Sequence, residues 1–168
     1  ISFDEKKIRT ALYRPFEKRY LYFDKDLNEV SFQNIKLFPN TKEKNSSILL
    51  PGVGGRSGFS CLVTDCLADF HVLDSNQCFP MHTYKDLDQN DKDNNNQSNL
   101  FSNTTTDKND FRKDNITDYY LNYIQQKYKK KDINKEDIFS YTYAVLHHEE
   151  YKLKFKNNLV KELPRVPN

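Results

Sequence analysis

The four glycines of the chain all fall in one segment, Pro51-Gly52-Val53-Gly54-Gly55-Arg56-Ser57-Gly58. Backbone amides in such a run can form a nest that holds a phosphate, with Arg56 adding positive charge. Gly54, Gly55, Arg56 and Ser57 are therefore candidate nucleic-acid contacts: an arginine between glycines can approach a phosphate or a guanine edge closely. The segment is not a nucleotide P-loop, because no Gly-Lys-Ser/Thr follows and its flanks read as strands on both sides. By spacing alone, a flexible hairpin connection that needs positive φ is the better explanation of the same residues. Asp65 and Asp69, further along, are the acids that would neutralise Arg56 in that second reading.

Cys61, Cys66, His71, Cys78 and His82 have the composition of a zinc site. They lack a Cys-x2-Cys knuckle, and the first four lie on apolar runs where a free cysteine behaves as a small hydrophobe. No metal is assigned, and Cys78 with His82 lacks an identifiable orienting residue for nucleophilic work. His147-His148-Glu149-Glu150 cannot place two ligands at i and i+4, so a polar helix junction is the reading. The run Lys127-Tyr128-Lys129-Lys130-Lys131 could lie along a phosphate backbone, but basic residues at a helix C-terminus more commonly complement the helix dipole. Three cysteines form an odd set for a disulfide framework and point to a reducing, cytoplasmic setting.

The chain has no Asn/Asp-Pro-Pro-Tyr methyltransferase tetrapeptide, no Asp-Glu-x-His helicase box and no evident Asp…Glu-x-Lys nuclease triad. No catalytic residue is assigned to it. A free-standing metal or thiol enzyme is the weakest of the functional alternatives.

The elements that must carry these residues follow from composition. The 168 residues hold 36% hydrophobic side chains, with 12 Phe, 11 Tyr and no Trp. Soluble domains usually show about 45–50% on a count that includes glycine. A ring-rich core with a polar insert accounts for the difference. The 26 basic and 24 acidic residues give +2, which excludes a globally basic nucleic-acid binder but not a local basic face. No stretch is long enough for a membrane helix, and the first residues do not form a signal peptide. The absence of an initial Met suggests a piece of a larger protein.

The expected fold is α+β, in three parts. Residues 1–84 predict a small mixed sheet: Ile8–Tyr13 and Tyr20–Phe23 separated at Pro15, then Ser47–Leu50, Phe59–Val63, Phe70–Leu73 and Gln77–Tyr84. Residues 85–114 are Asn-rich and predict a mobile, dispensable loop. Residues 115–163 predict three helices. The first, capped by Asn115 or Asp114, carries Ile116, Tyr120, Tyr123 and Ile124 on its apolar face. The second has Asn134 and Asp137 as a capping pair, with Ile138, Tyr141, Val145 and Leu146 on one face. The third is marked by Tyr151, Phe155, Leu159 and Leu163 before Pro164 stops it.

Four segments carry a resemblance to a known family. Tyr13-Arg14-Pro15-Phe16-Glu17-Lys18-Arg19-Tyr20 resembles the Tyr-Arg-Pro-Phe-Asp-x-Arg-Tyr opening of the C-terminal specificity region of type ISP restriction–modification enzymes. Gly52-Val53-Gly54 through Phe59-Ser60, Leu62-Val63-Thr64-Asp65 and Asp69-Phe70-His71 are similar to the central portion of that region, with Cys61 and Cys66 outside its pattern. Gln77-Cys78-Phe79-Pro80-Met81 resembles its Gln-Cys-Phe-Pro-Leu stretch. Lys135-Glu136-Asp137-Ile138-Phe139, Tyr143-Ala144-Val145-Leu146-His147, Glu150-Tyr151 and Glu162-Leu163-Pro164-Arg165-Val166-Pro167 are similar to its helical end. Glu17 for Asp, and His148 where a small residue is usual, are departures.

The resemblance implies a target-recognition domain from a single large polypeptide with nuclease, ATPase-motor and N6-adenine methyltransferase parts. It implies duplex DNA as partner, the methyltransferase and motor domains as neighbours, and no membrane. It implies no cofactor in this chain, with S-adenosylmethionine, ATP and Mg2+ serving the parent. Arg14 and Arg19 match the pattern and read equally as phosphate ligands or as ion-pair partners at the edge of the core. A structural coupling domain without base readout is the competing function.

Overall fold

Pro15 breaks an aromatic and β-branched run, and the chain reverses there. In the computed structural model, Ile8–Arg14 (β1) and Glu17–Tyr22 (β2) form an antiparallel hairpin across it. Phe16 takes φ 66° at the turn. The structure describes residues 2–24, 26–28, 31, 33–54, 58–85 and 111–167.

β1 is the central strand of its sheet. Its other edge pairs in parallel with Leu67–Ala68 (β5), Ala11 facing Leu67 and Leu12 facing Ala68. A second antiparallel sheet has Ser47–Leu50 (β3) at its centre, between Leu62–Thr64 (β4) and Gln77–Pro80 (β6). All four residues of β3 are buried, as befits a short apolar run with strands on both sides. A short helix, Asn34–Leu37 (α1), adds Leu37 to the core beside Phe38 and Leu67. His82–Tyr84 (β7) and Arg112–Asp114 (β8) form a separate antiparallel pair.

The back of the chain is helical: Asp118–Tyr128 (α2), Lys135–His147 (α3), Glu149–Lys154 (α4) and Lys156–Leu159 (α5). Asn134 and Asp137 form the expected reciprocal capping box on α3. Leu146, Tyr151 and Leu159 pack with Ile48, Leu50 and Cys61, so the helices close over the β3 sheet.

The mixed α+β class holds, with several corrections in detail. Phe70–Leu73 is a turn, because Asp69 and Asn76 draw the backbone into local hydrogen bonds. The Asp69 carboxylate accepts from the His71 amide, the Asn76 side-chain oxygen accepts from the Leu73 amide, and Asp74 and Ser75 both take φ 58°. Gln77–Tyr84 divides at Met81 between two sheets, where the Met81 amide donates to Ser46 instead. The strand after the glycine segment starts at Leu62 rather than Phe59.

Arg112–Asp114 is a strand, not the end of a loop, because β7 offers it a partner. The rest of the Asn-rich segment, residues 86–110, lies outside the described residues. Thr117 caps α2, since Asp114 is held in β8 and the Asn115 side chain donates to the Pro80 carbonyl. The expected third helix is interrupted at Phe155 into α4 and α5, and regular helix ends at Leu159.

Candidate nucleic-acid interface

The β1–β2 hairpin projects Arg14, Lys18 and Arg19 around an outward Phe16, which is 89% exposed. Each cation has a carboxylate. Arg14 Nη1 lies 3.6 Å from Asp69, Lys18 Nζ donates to Asp65 at 2.7 Å, and Arg19 Nε donates to Glu17 at 2.8 Å. The guanidinium carbons of Arg14 and Arg19 both sit 4.2 Å from the centre of the Tyr13 ring. The Lys18 ammonium holds the Asp65 carboxyl below the usual carboxylate range. Of the two readings open for Arg14 and Arg19, their geometry supports the ion-pair partner: three cations and three acids leave the hairpin tip neutral.

The glycine segment joins β3 to β4, strand to strand, as its flanks predicted. Gly54 uses the left-handed region at φ 79°. Gly52 is required by close approach, since a Cβ there would meet the Ser75 carbonyl oxygen at 2.9 Å. Gly55, Arg56 and Ser57 lie outside the described residues. Asp65 and Asp69, the acids set against Arg56, are engaged by Lys18 and Arg14.

The soft ligands are dispersed. Cys61 is buried under the helices, Cys66 lies in a second cluster with Leu12, Leu49 and Val72, and Cys78 packs beside both remaining clusters. Burial pushes the Cys61 thiol up to about 11 and raises those of Cys66 and Cys78, away from the reactive thiolate. His71 rests edge-on against Phe70, and His82 bonds to Asp114. Among the described residues no cluster of three or more such ligands is assembled. His147 and His148 sit at the α3–α4 junction, where His147 Nε2 meets the Cys61 carbonyl at 2.9 Å.

One polar centre had no sequence signal. Asp114 Oδ1 lies 2.9 Å from His82 Nδ1, and its Oδ2 accepts from Lys135 Nζ at 2.7 Å. Lys135, with its side chain only 17% exposed, also reaches Asp118 at 2.6 Å. The network joins the β7–β8 pair to the start of α2 and of α3.

The lysine run closes α2. Tyr119, Tyr123 and Lys127 lie at four-residue steps on one exposed face, and the Lys127 ammonium stands 5.9 Å from the Tyr123 ring centre and 5.8 Å from that of Tyr128. Lys129 turns the chain at φ 53°. Backbone amides of Lys129 and Lys130 satisfy the last carbonyls, those of Gln125 and Gln126. Among the described residues no acid forms an ion pair with Lys129, Lys130 or Lys131.

The chain matches the model of the Type ISP C-terminal specificity domain over residues 1–168, and it belongs to that family. Its fold is similar to part of a cryo-EM structure of a DrdV–DNA complex, with 36% identity and a TM-score of 0.79 over 99% of this chain and 14% of that one. It is also similar to part of a nuclease-deletion mutant of the Type ISP restriction–modification enzyme LlaGI in complex with a DNA substrate mimic. There the identity is 29% and the TM-score 0.69, over 99% of this chain and 12% of that one. The ATP-dependent Type ISP enzyme LlaBIII bound to DNA matches at 25% identity and a TM-score of 0.71, over all of this chain and 10% of that one. No curated protein matches the chain.

Proposed function

We propose that this chain is the target-recognition module of a Type ISP restriction–modification enzyme and reads a short site in duplex DNA. The observation that carries the reading is the match of the whole chain to the specificity-domain family, together with its fold likeness to segments of enzymes solved on DNA. The chain spans only about a seventh to a tenth of the length of those proteins, 14% to 10%. Methylation of adenine, ATP-driven translocation and cleavage, with S-adenosylmethionine, ATP and Mg2+, belong in this reading to other parts of the same polypeptide. The chain itself works without catalysis and without a cofactor, in the cytoplasm. No helix among the described residues is long and apolar enough to cross a membrane.

Within this reading the glycine segment, with Gly54, Gly55, Arg56 and Ser57, supplies a phosphate or guanine contact on its composition. Arg14 and Arg19 hold the hairpin in shape. The test is a domain exchange in the full-length polypeptide, with the recognised site mapped from the adenines it methylates. Replacing this domain by that of a relative should move the mapped site to the relative's sequence. A site that stays in place would assign recognition elsewhere and leave this chain as a coupling domain.

A further inference from the structure

Two surfaces among the described residues that combine exposed rings with cations differ in charge. At the hairpin every cation has an acid, so a phosphate arriving there would have to displace a carboxylate. At the end of α2 the sequence from Lys127 to Lys131 contains four lysines and no acid. The Lys129, Lys130 and Lys131 side chains are exposed, and among the described residues they have no ion-pair or hydrogen-bond partner. Backbone amides satisfy the Gln125 and Gln126 carbonyls at the helix end, and these ammonium groups bond to no helix-end carbonyl.

The acids nearest in sequence form no ion pair with these three lysines. Asp118 is paired with Lys135, and Asp137 accepts from the Asn134 amide. Asp132 forms no ion pair with this run. At this end of α2 the exposed rings of Tyr123 and Tyr128 offer flat surface for packing against sugars.

Unpaired ammonium groups beside exposed rings are the chemistry of backbone attachment to a polyanion. Each phosphate neutralised releases condensed counterions and contributes regardless of base sequence. Resting on the recognition role above, we infer that Lys129, Lys130 and Lys131, with Tyr123 and Tyr128, clamp the phosphate backbone of the duplex. They anchor the domain without selecting sequence. The occupant is duplex DNA, because a strand of regularly spaced phosphates is the polyanion that this role brings to the chain.

The experiment measures binding of the full-length polypeptide to two short duplexes across a potassium chloride series. One duplex carries the site mapped by methylation and the other is scrambled. The triple variant Lys129→Ala, Lys130→Ala, Lys131→Ala should weaken both by the same factor. It should also flatten the slope of log affinity against log salt by about 0.9 per lysine that holds a phosphate. Arg14→Ala with Arg19→Ala should leave the slope as it is.

In the unaltered polypeptide, the duplex should protect these three lysines from amine acetylation, a readout independent of how the variant folds. An unchanged slope together with unprotected lysines would overturn the clamp, as would capture of the lysines by anionic vesicles but not by the duplex. If domain exchange moves the site while the slope is unchanged, the clamp alone falls. If the slope falls while domain exchange leaves the site in place, the recognition role falls and the clamp stands.

Discussion

Asp114 takes part in two tight contacts from elements far apart in sequence, His82 on β7 and Lys135 at the start of α3. The hydrogen bond from Lys135 holds its carboxyl below the ordinary value of 3.8, with His82 adding to the effect. A carboxyl with a lowered pKa stabilises the fold above its unfolded value, and that gain is lost as pH falls through the folded one. Asp114→Asn should therefore lower the melting temperature most near neutral pH, and the deficit should shrink as pH drops below 3.8. Thermal melts of both proteins at several pH values check this; a deficit that does not change with pH would remove the charge from the explanation. None of this was readable from the sequence, because the partners lie 32 and 21 positions away and an Arg-Lys-Asp run gives no strand pattern.

At the scale of elements, local chemistry was legible and long-range pairing was not. The Pro15 break, the β3 run and the Asn134–Asp137 box each follow from residues within a few positions of one another. β5 is two residues long and exists because β1 offers it an edge, while Phe70–Leu73 has strand composition that its neighbouring Asp and Asn override. The α3 face was read correctly at Leu146, which is 3% exposed against Ile48 and Leu50. Leu146→Ala should cost about 2–5 kcal/mol, the usual range for truncating a buried leucine. Phe155→Ala should cost less than a fully buried ring would, because Phe155 is only partly covered where α4 meets α5. Denaturant melts that rank the two in the opposite order would show that the helical face is held differently.

For the whole molecule, the candidate site was legible as composition and not as charge balance. The sequence offered Arg14 and Arg19 as DNA contacts and read the Lys127–Lys131 run first as a helix end; only the fold shows that the first two have acid partners, while Lys129, Lys130 and Lys131 have none among the described residues. Organisation around the Asn-rich segment gives a third expectation. The Lys85 amide donates to the Phe111 carbonyl at 2.9 Å, so the ends of residues 86–110 are tied side by side by the β7–β8 pair. Closing a loop depends only weakly on its length. Replacing residues 86–110 with a short Gly/Ser linker should keep the melting temperature within a few degrees, as read by circular dichroism. A collapse of the transition would mean that the segment contributes packing of its own.

The parallel pairing of β1 with β5 sets a timetable for synthesis. The hairpin of residues 8–22 needs only neighbours, and it can close as soon as its turn leaves the ribosome. Its second edge waits until Leu67 and Ala68 have been made. Through that interval Leu12, which later sits in the core with Leu49, Cys66 and Val72, lacks its full cover. An open strand edge with an apolar face is what sticky nascent chains present to one another. Within this domain the first strand is thus exposed from the making of residue 22 until that of residue 68, and the two residues of β5 end that period.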